Sequence, residues 1–147
     1  MLTGAGYIGL FLTAFLAATI LPLSSEATIA AMAASGYSPL RLLSVATLGN
    51  TLGSWVNYLI GRLGDRFVLS RWIRTDPERR ERAEERMRRW GSPLLILAWL
   101  PVIGDPLTIV AGVVRMHPMA FTFWVALGKC LRYALVLQGV AWINGRG

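Results

Sequence analysis

Two proline-broken apolar stretches, each carrying one carboxylate, constrain this chain more than any other feature. Leu21-Pro22-Leu23-Ser24-Ser25-Glu26 is followed by small apolar residues, and so is Leu100-Pro101-Val102-Ile103-Gly104-Asp105. In both, the acid stands four residues after the proline. A second proline follows seventeen residues after the first, at Pro39 and Pro118. A Leu-Gly pair comes nine residues later still, at Leu48-Gly49 and Leu127-Gly128. One offset of 79 residues superimposes all of these points without a gap. Coincidence at six points marks an internal duplication.

Acids are rare in apolar sequence because desolvating a charge is costly. A paired, proline-broken, acid-bearing segment in corresponding halves is the pattern of a membrane site built on interrupted helices.

The length of 147 residues suits one domain, taken as 1–147. Only 16% of residues are charged, against about 25% in ordinary soluble domains. Several apolar runs approach or exceed the roughly 18 residues expected of a span, so the chain is an integral membrane protein. A soluble bundle would need polar helix faces, and residues 5–20 and 92–103 show almost none. The net charge of +7 is unevenly placed: ten of the fifteen basic residues lie between Arg62 and Arg89. That cluster points to a cytoplasmic segment rather than a nucleic-acid surface. Cys130 is the one cysteine and His117 the one histidine, so no disulfide and no zinc set can form within the chain. Neither a metal nor a cofactor is expected. The N-terminus lacks a basic region and a cleavage site, so residues 1–20 read as mature protein.

In chain order, Gly4 to Ile20 and Ala27 to Ser35 read as two helices around Pro22, the second ended by Gly36. Both fall short of a 30 Å hydrocarbon core, so they form a re-entrant hairpin with Pro22, Ser24 and Ser25 at its tip. Leu40 to Gly61 is long enough to cross. Asn50, Gly53, Ser54, Asn57 and Gly61 form a polar, small-residue stripe along it. Gly49 and Gly53 make a GxxxG pair that serves a seam within the chain or a homo-oligomer equally well. Asn50 and Asn57 serve packing or a polar path, with no preference. Arg62 to Trp90 is a charged linker, with Asp76-Pro77-Glu78 starting an amphipathic helix. Pro93 to Met116 is a second hairpin, with Pro101, Gly104 and Pro106 at its tip. Met119 to Ile143 crosses, with Gly128 in a packing position and Lys129 and Arg132 at the places of Asn50 and Gly53. The expected fold is an all-α integral membrane protein of two inverted repeats, each a re-entrant helical hairpin plus a transmembrane helix. Repeat one covers 5–61, the cytoplasmic linker 62–90 and repeat two 91–143, with both termini outside.

Glu26 and Asp105 then face Lys129, Arg132 and Arg115. These groups are either an internal ion-pair set or a functional site, and intramembrane ionisable residues are functional by default. In the second case the carboxylates exchange protons and the cations hold an anionic group such as phosphate. Nothing points to catalysis: there is no Gly-x-Ser-x-Gly elbow, no second histidine and no metal cluster. Ser24 and Ser25 have no base partner and serve the open backbone at the tip. His117 reads as interfacial and Cys130 as a small buried apolar residue.

The Leu-Pro-x-x-x-Glu tip, Gly49-Asn50, and Ala111-Gly112-Val113-Val114-Arg115-Met116 resemble the DedA/VTT family, also called SNARE-associated Golgi proteins. Leu100-Pro101-x-x-Gly104-Asp105-Pro106 and the short length resemble its YqaA-like branch. The resemblance spans about residues 5–140. It implies a bacterial inner-membrane protein that translocates lipid phosphates, notably undecaprenyl phosphate, or phospholipids, with a dependence on proton motive force proposed for some members. It implies that Glu26 matches the family's essential acid in the first hairpin; Gly112, like Gly128, is expected at a helix-packing position. Many members carry an Arg-Phe-x-Pro-x-x-Arg pattern at the second hairpin. Here Ala98, Trp99 and Gly104 stand in that region, and Arg115, Lys129 and Arg132 would take the arginines' place. The expected function is a non-enzymatic transporter of a lipid-linked anion, linked to protons, with membrane lipids and protons as partners and no nucleic acid. A small-solute or ion transporter on the same core, or a structural or assembly factor, is the alternative.

Overall fold

Prolines, glycines and one serine cap set the helix boundaries. The computed structural model describes residues 2–19, 24–72, 91, 93–100 and 104–145. Helix α1 (Leu2–Ala17) closes in a tighter turn, with Ala18 N–H donating to the Phe15 carbonyl. Helix α2 (Ser25–Ala34) starts at Ser24, whose hydroxyl accepts from the Ala27 N–H at 3.2 Å. Glu26 sits in its first turn, where the exposed N–H groups favour a negative charge. Helix α3 runs from Pro39 to Trp72. A short 3-10 helix covers Leu95–Trp99, α4 covers Gly104–Val113 and α5 covers Pro118–Asn144. Proline at the first position of α3 and α5 loses nothing, since that N–H has no helical partner.

The 79-residue offset holds in the helix boundaries. It carries the start and end of α2 onto those of α4, and the start of α3 onto that of α5. It also carries Gly36 (φ 83°) onto Arg115 (φ 51°). Each is the left-handed residue of the same two-bond helix stop. Tyr37 N–H reaches the Met32 carbonyl and Gly36 N–H that of Ala33, both at 3.1 Å. Met116 N–H reaches the Ala111 carbonyl and Arg115 N–H that of Gly112, both at 3.0 Å. Of the stretch before α4, the 3-10 helix Leu95–Trp99 lies among the described residues, while most of the positions equivalent to α1, residues 81–96, lie outside them.

Glycines set the helix contacts. A Cβ on Gly49 would stand 2.5 Å from the Phe11 carbonyl oxygen, and one on Gly53 would overlap that of Phe15. The GxxxG pair is therefore filled by α1 of the same chain. Farther along α3, Gly61 meets the Ile109 carbonyl and Gly112 meets that of Tyr58, which seats α4 with no room for a side chain. Gly128 seats α5 against Ile96. Thus α1 packs on α3 and the 3-10 helix on α5, while α2 packs on α5 and α4 on α3. The 79-residue offset carries each of these four contacts onto another of them, whereas the further contact of α2 with α3 has no equal between α4 and α5. Two apolar clusters result, one around Tyr58, Ala111, Phe121 and Val125, the other around Leu10, Ile29, Leu42 and Tyr133.

The outside is apolar and the inside partly polar. Leu48, Leu52, Leu59 and Leu63 of α3, and Phe123, Leu131 and Leu135 of α5, are exposed, whereas Asn50, Ser54, Asn57, Thr108 and Lys129 are buried. That inversion suits lipid surroundings. At 1.5 Å per residue α3 and α5 reach about 51 and 40 Å, beyond the roughly 30 Å hydrocarbon core. Helix α1 reaches about 24 Å, and α2 and α4 about 15 Å. By hydropathy averaging, among the described residues only Pro118–Asn144 is long and apolar enough to cross. Helix α3 averages lower because Arg41, Asn50, Ser54, Asn57 and the charged residues from Arg62 onward lie along it.

Helix α3 does not stop at Gly61 but continues through Arg62 to Trp72. No proline interrupts that stretch, and arginine and leucine are good helix formers. The capping signal at Asp76-Pro77-Glu78 lies outside the described residues, as do Pro22 and Pro101. Cys130 is half-buried rather than buried.

Candidate functional site

The first turn of α2 presents two consecutive side chains to two consecutive side chains of α5. Ser25 Oγ lies 2.9 Å from Tyr133 Oη, where either hydroxyl can donate. Beside it, the Glu26 carboxylate pairs with the Arg132 guanidinium. Tyr133 is fully buried, and its hydroxyl also accepts from Asn50 Nδ2 of α3 at 2.8 Å. One hydroxyl therefore ties α2, α3 and α5 together.

The first turn of α4 presents the second carboxylate. Asp105 Oδ1 lies 3.6 Å from Lys129 Nζ. The lysine side chain is 3% exposed and the aspartate 35%. The acid is thus open to its surroundings while the ammonium is enclosed. Asn57 supports this region: its Nδ2 donates to the Ala18 carbonyl at 2.7 Å and to Thr108 Oγ1 at 3.3 Å. It joins the end of α1 to α4 through α3. Thr108 in turn donates to the Asp105 carbonyl at 2.6 Å.

Four of the five ionisable residues singled out from the sequence are thus assembled as two ion pairs. Both cations stand on α5, one turn apart, and each meets an acid from a different hairpin. Arg115 sits elsewhere, exposed at the turn after α4, about 15 Å along that helix from Asp105. Ser24 caps α2. Gly104 lies against the Ala98 carbonyl, where a Cβ would overlap. Pro106 is exposed in the first turn of α4, where its missing N–H has no consequence. Gly49, Gly53, Gly112 and Gly128 are helix contacts, while Asn50 and Asn57 hydrogen-bond across helices. His117 is exposed just before α5.

Tyr133 was not legible as a site residue. A tyrosine in an apolar run next to an arginine reads as filler or as an interfacial anchor. The available signal was the offset, which places it at the position of Ser54, on the buried polar stripe of α3. Among the described residues no group of three or more His, Cys, Asp or Glu could hold a metal ion.

In charge pairs of this kind, nearly neutral in sum and partly open, the cation can exchange its carboxylate for another anion while the released carboxylate takes up a proton. The VTT domain family profile matches residues 21–141. The chain is 40% identical over 138 residues to the inner membrane protein YqaA of Escherichia coli, covering 90% of this chain and 92% of that one. An uncharacterized protein of Haemophilus influenzae is 36% identical over 138 residues, covering 87% and 83%. Undecaprenyl phosphate transporter A of Staphylococcus aureus is 28% identical over 148 residues, covering 91% and 72%. No solved structure matches the chain significantly. Carrying the family's domain over most of its length, on helices with a lipid-suited surface, the chain is a membrane protein of the DedA/VTT family.

Proposed function

We propose that the chain is a bacterial inner-membrane transporter that moves a lipid-linked anion, a polyprenyl phosphate or phospholipid, across the bilayer in a proton-linked cycle. The observation that carries this is the pairing of Glu26 with Arg132 and of Asp105 with Lys129 inside an apolar helical body. A structural role alone does not account for keeping three of these four side chains a fifth to a third exposed. A phosphate competes with the carboxylates for Arg132 and Lys129, and a proton on the released acid keeps the site neutral. The relative named for undecaprenyl phosphate supports this substrate class.

In this reading the two hairpins are re-entrant and the two copies inverted, with Glu26 and Asp105 near the bilayer midplane. The short α1, α2 and α4, and the four helix contacts that the offset carries onto one another, support it. Residues 62–90 then face the cytoplasm.

The test is reconstitution into liposomes with a fluorescent lipid phosphate, following its exposure to an outside quencher with and without a proton gradient. Gradient-dependent flipping supports the proposal. Flux of small solutes without lipid movement would point to a solute transporter, and no flux to an assembly factor.

A further inference from the structure

The two hairpins are held to their long helices by different means. Helix α4 is seated on α3 through Gly61 and Gly112, with backbone against backbone. Such a seam cannot part without opening a void. Helix α2 packs on α5 through Ile29 and side chains such as Val136 and Leu137, and its first turn is held there by the polar rungs Ser25–Tyr133 and Glu26–Arg132. The offset carries Ser25 to Gly104 and Tyr133 to Ser54, so copy two has no side-chain pair at the equivalent of the first rung. Polar rungs can part by exchanging partners for water or ligand. Tyr133 directly follows Arg132 and stands one turn after Lys129, so whatever fixes its hydroxyl fixes the rotation of both cations.

We infer that Tyr133 is a positioning residue for the paired charges, its hydroxyl holding α2 on α5 through Ser25 and setting α5 through Asn50. Release of this hydroxyl accompanies separation of Glu26 from Arg132, and α2 is the hairpin that moves while α4 stays seated. The functional half of the inference rests on the transport reading above.

Hydrogen exchange on the full chain in detergent, with Tyr133→Phe and Ser25→Ala, tests it. Tyr58→Phe serves as a matched loss of another buried tyrosine hydroxyl, the one donating to the Met116 carbonyl at 2.5 Å. The expected result is about tenfold faster exchange of α2 amides in both rung variants, with α4 amides unchanged. Tyr58→Phe leaves α2 unchanged. In liposomes the rung variants shift the pH profile of flipping, and Tyr58→Phe does not. Equal acceleration of α2 and α4, or no acceleration of α2 in Ser25→Ala, overturns the inference. So does an unaltered pH profile in a flipping-competent Tyr133→Phe protein. A wild-type protein that flips no lipid sinks the transport reading instead, and exchange still decides what Tyr133 holds.

Discussion

Arg132 reaches Glu26, an acid from the other half of the chain, while Lys129, one turn earlier on the same helix, meets Asp105 from its own half. Helix α5 thus carries the positive charge for both hairpins. At the corresponding places α3 carries Asn50 and Gly53. The helix boundaries follow the 79-residue offset, but the charge does not.

Glu26→Gln tests the first pair. Glutamine keeps the size and cannot titrate. Flipping is expected to lose most of its rate and its pH dependence, with the protein still folded and inserted. If the pair only holds helices, the same change costs stability instead, about 3 kcal/mol at most since both side chains are partly exposed. Melting temperature and flipping in one preparation separate the two. A stable, fully active variant defeats both readings.

The second pair is asymmetric in burial, and its variants are expected to be as well. Asp105→Asn leaves an enclosed ammonium without its counter-charge and destabilises by at least about 2 kcal/mol. Lys129→Met removes the enclosed charge itself and costs less than about 1 kcal/mol, because Asp105 is a third exposed. The double variant recovers stability close to Lys129→Met alone. Thermal unfolding in detergent measures all three.

Glycine substitutions separate contact from propensity. Gly112→Ala places a methyl group on the Tyr58 carbonyl and is expected to cost about 2–4 kcal/mol or to prevent folding. Gly139→Ala meets nothing within 4 Å and is expected to stabilise α5 by about 0.5–1 kcal/mol. Thermal shifts of opposite sign are the readout.

The two helix stops give a further pair. Gly36→Ala introduces a side chain at φ 83° and is expected to cost about 1 kcal/mol. Arg115→Gly relieves the same conformation but also removes the arginine's contacts, so its gain is expected to stay below about 1 kcal/mol. A lower melting temperature for Arg115→Gly would show that this side chain holds more than it strains.

Orientation is checked with Thr75→Cys in a Cys130→Ser background. Labelling by a membrane-impermeant thiol reagent is expected only after the cytoplasmic face is opened. Labelling from outside intact cells refutes a cytoplasmic linker.

Much of the frame was legible because it rests on local rules. Pro39 and Pro118 start helices, Gly36 stops one, and the single offset predicted matching elements that the helix boundaries reproduce. The charges were legible because apolar sequence rarely carries them. What escaped depends on distance. Nothing local says that Tyr133 meets Ser25 and Asn50, or that Asn57 reaches the Ala18 carbonyl. The choice left open for the GxxxG pair was decided by the Phe11 and Phe15 carbonyls of α1, which no spacing rule locates. The end of α3 was misplaced because Arg62, with Arg66 and Arg71 after it, reads as the start of a linker, whereas the helix runs through them to Trp72.

The hold of α5 on α2 also orders the chain's birth. Ser25 emerges from the ribosome 108 residues before Tyr133. At about 5–20 residues per second, that is a wait on the order of 5–20 s. During it the first hairpin and its acid sit in the membrane or its translocon without their partner helix. A chain truncated before α5 never gains that partner, and it is expected to be degraded by membrane quality-control proteases faster than the full chain.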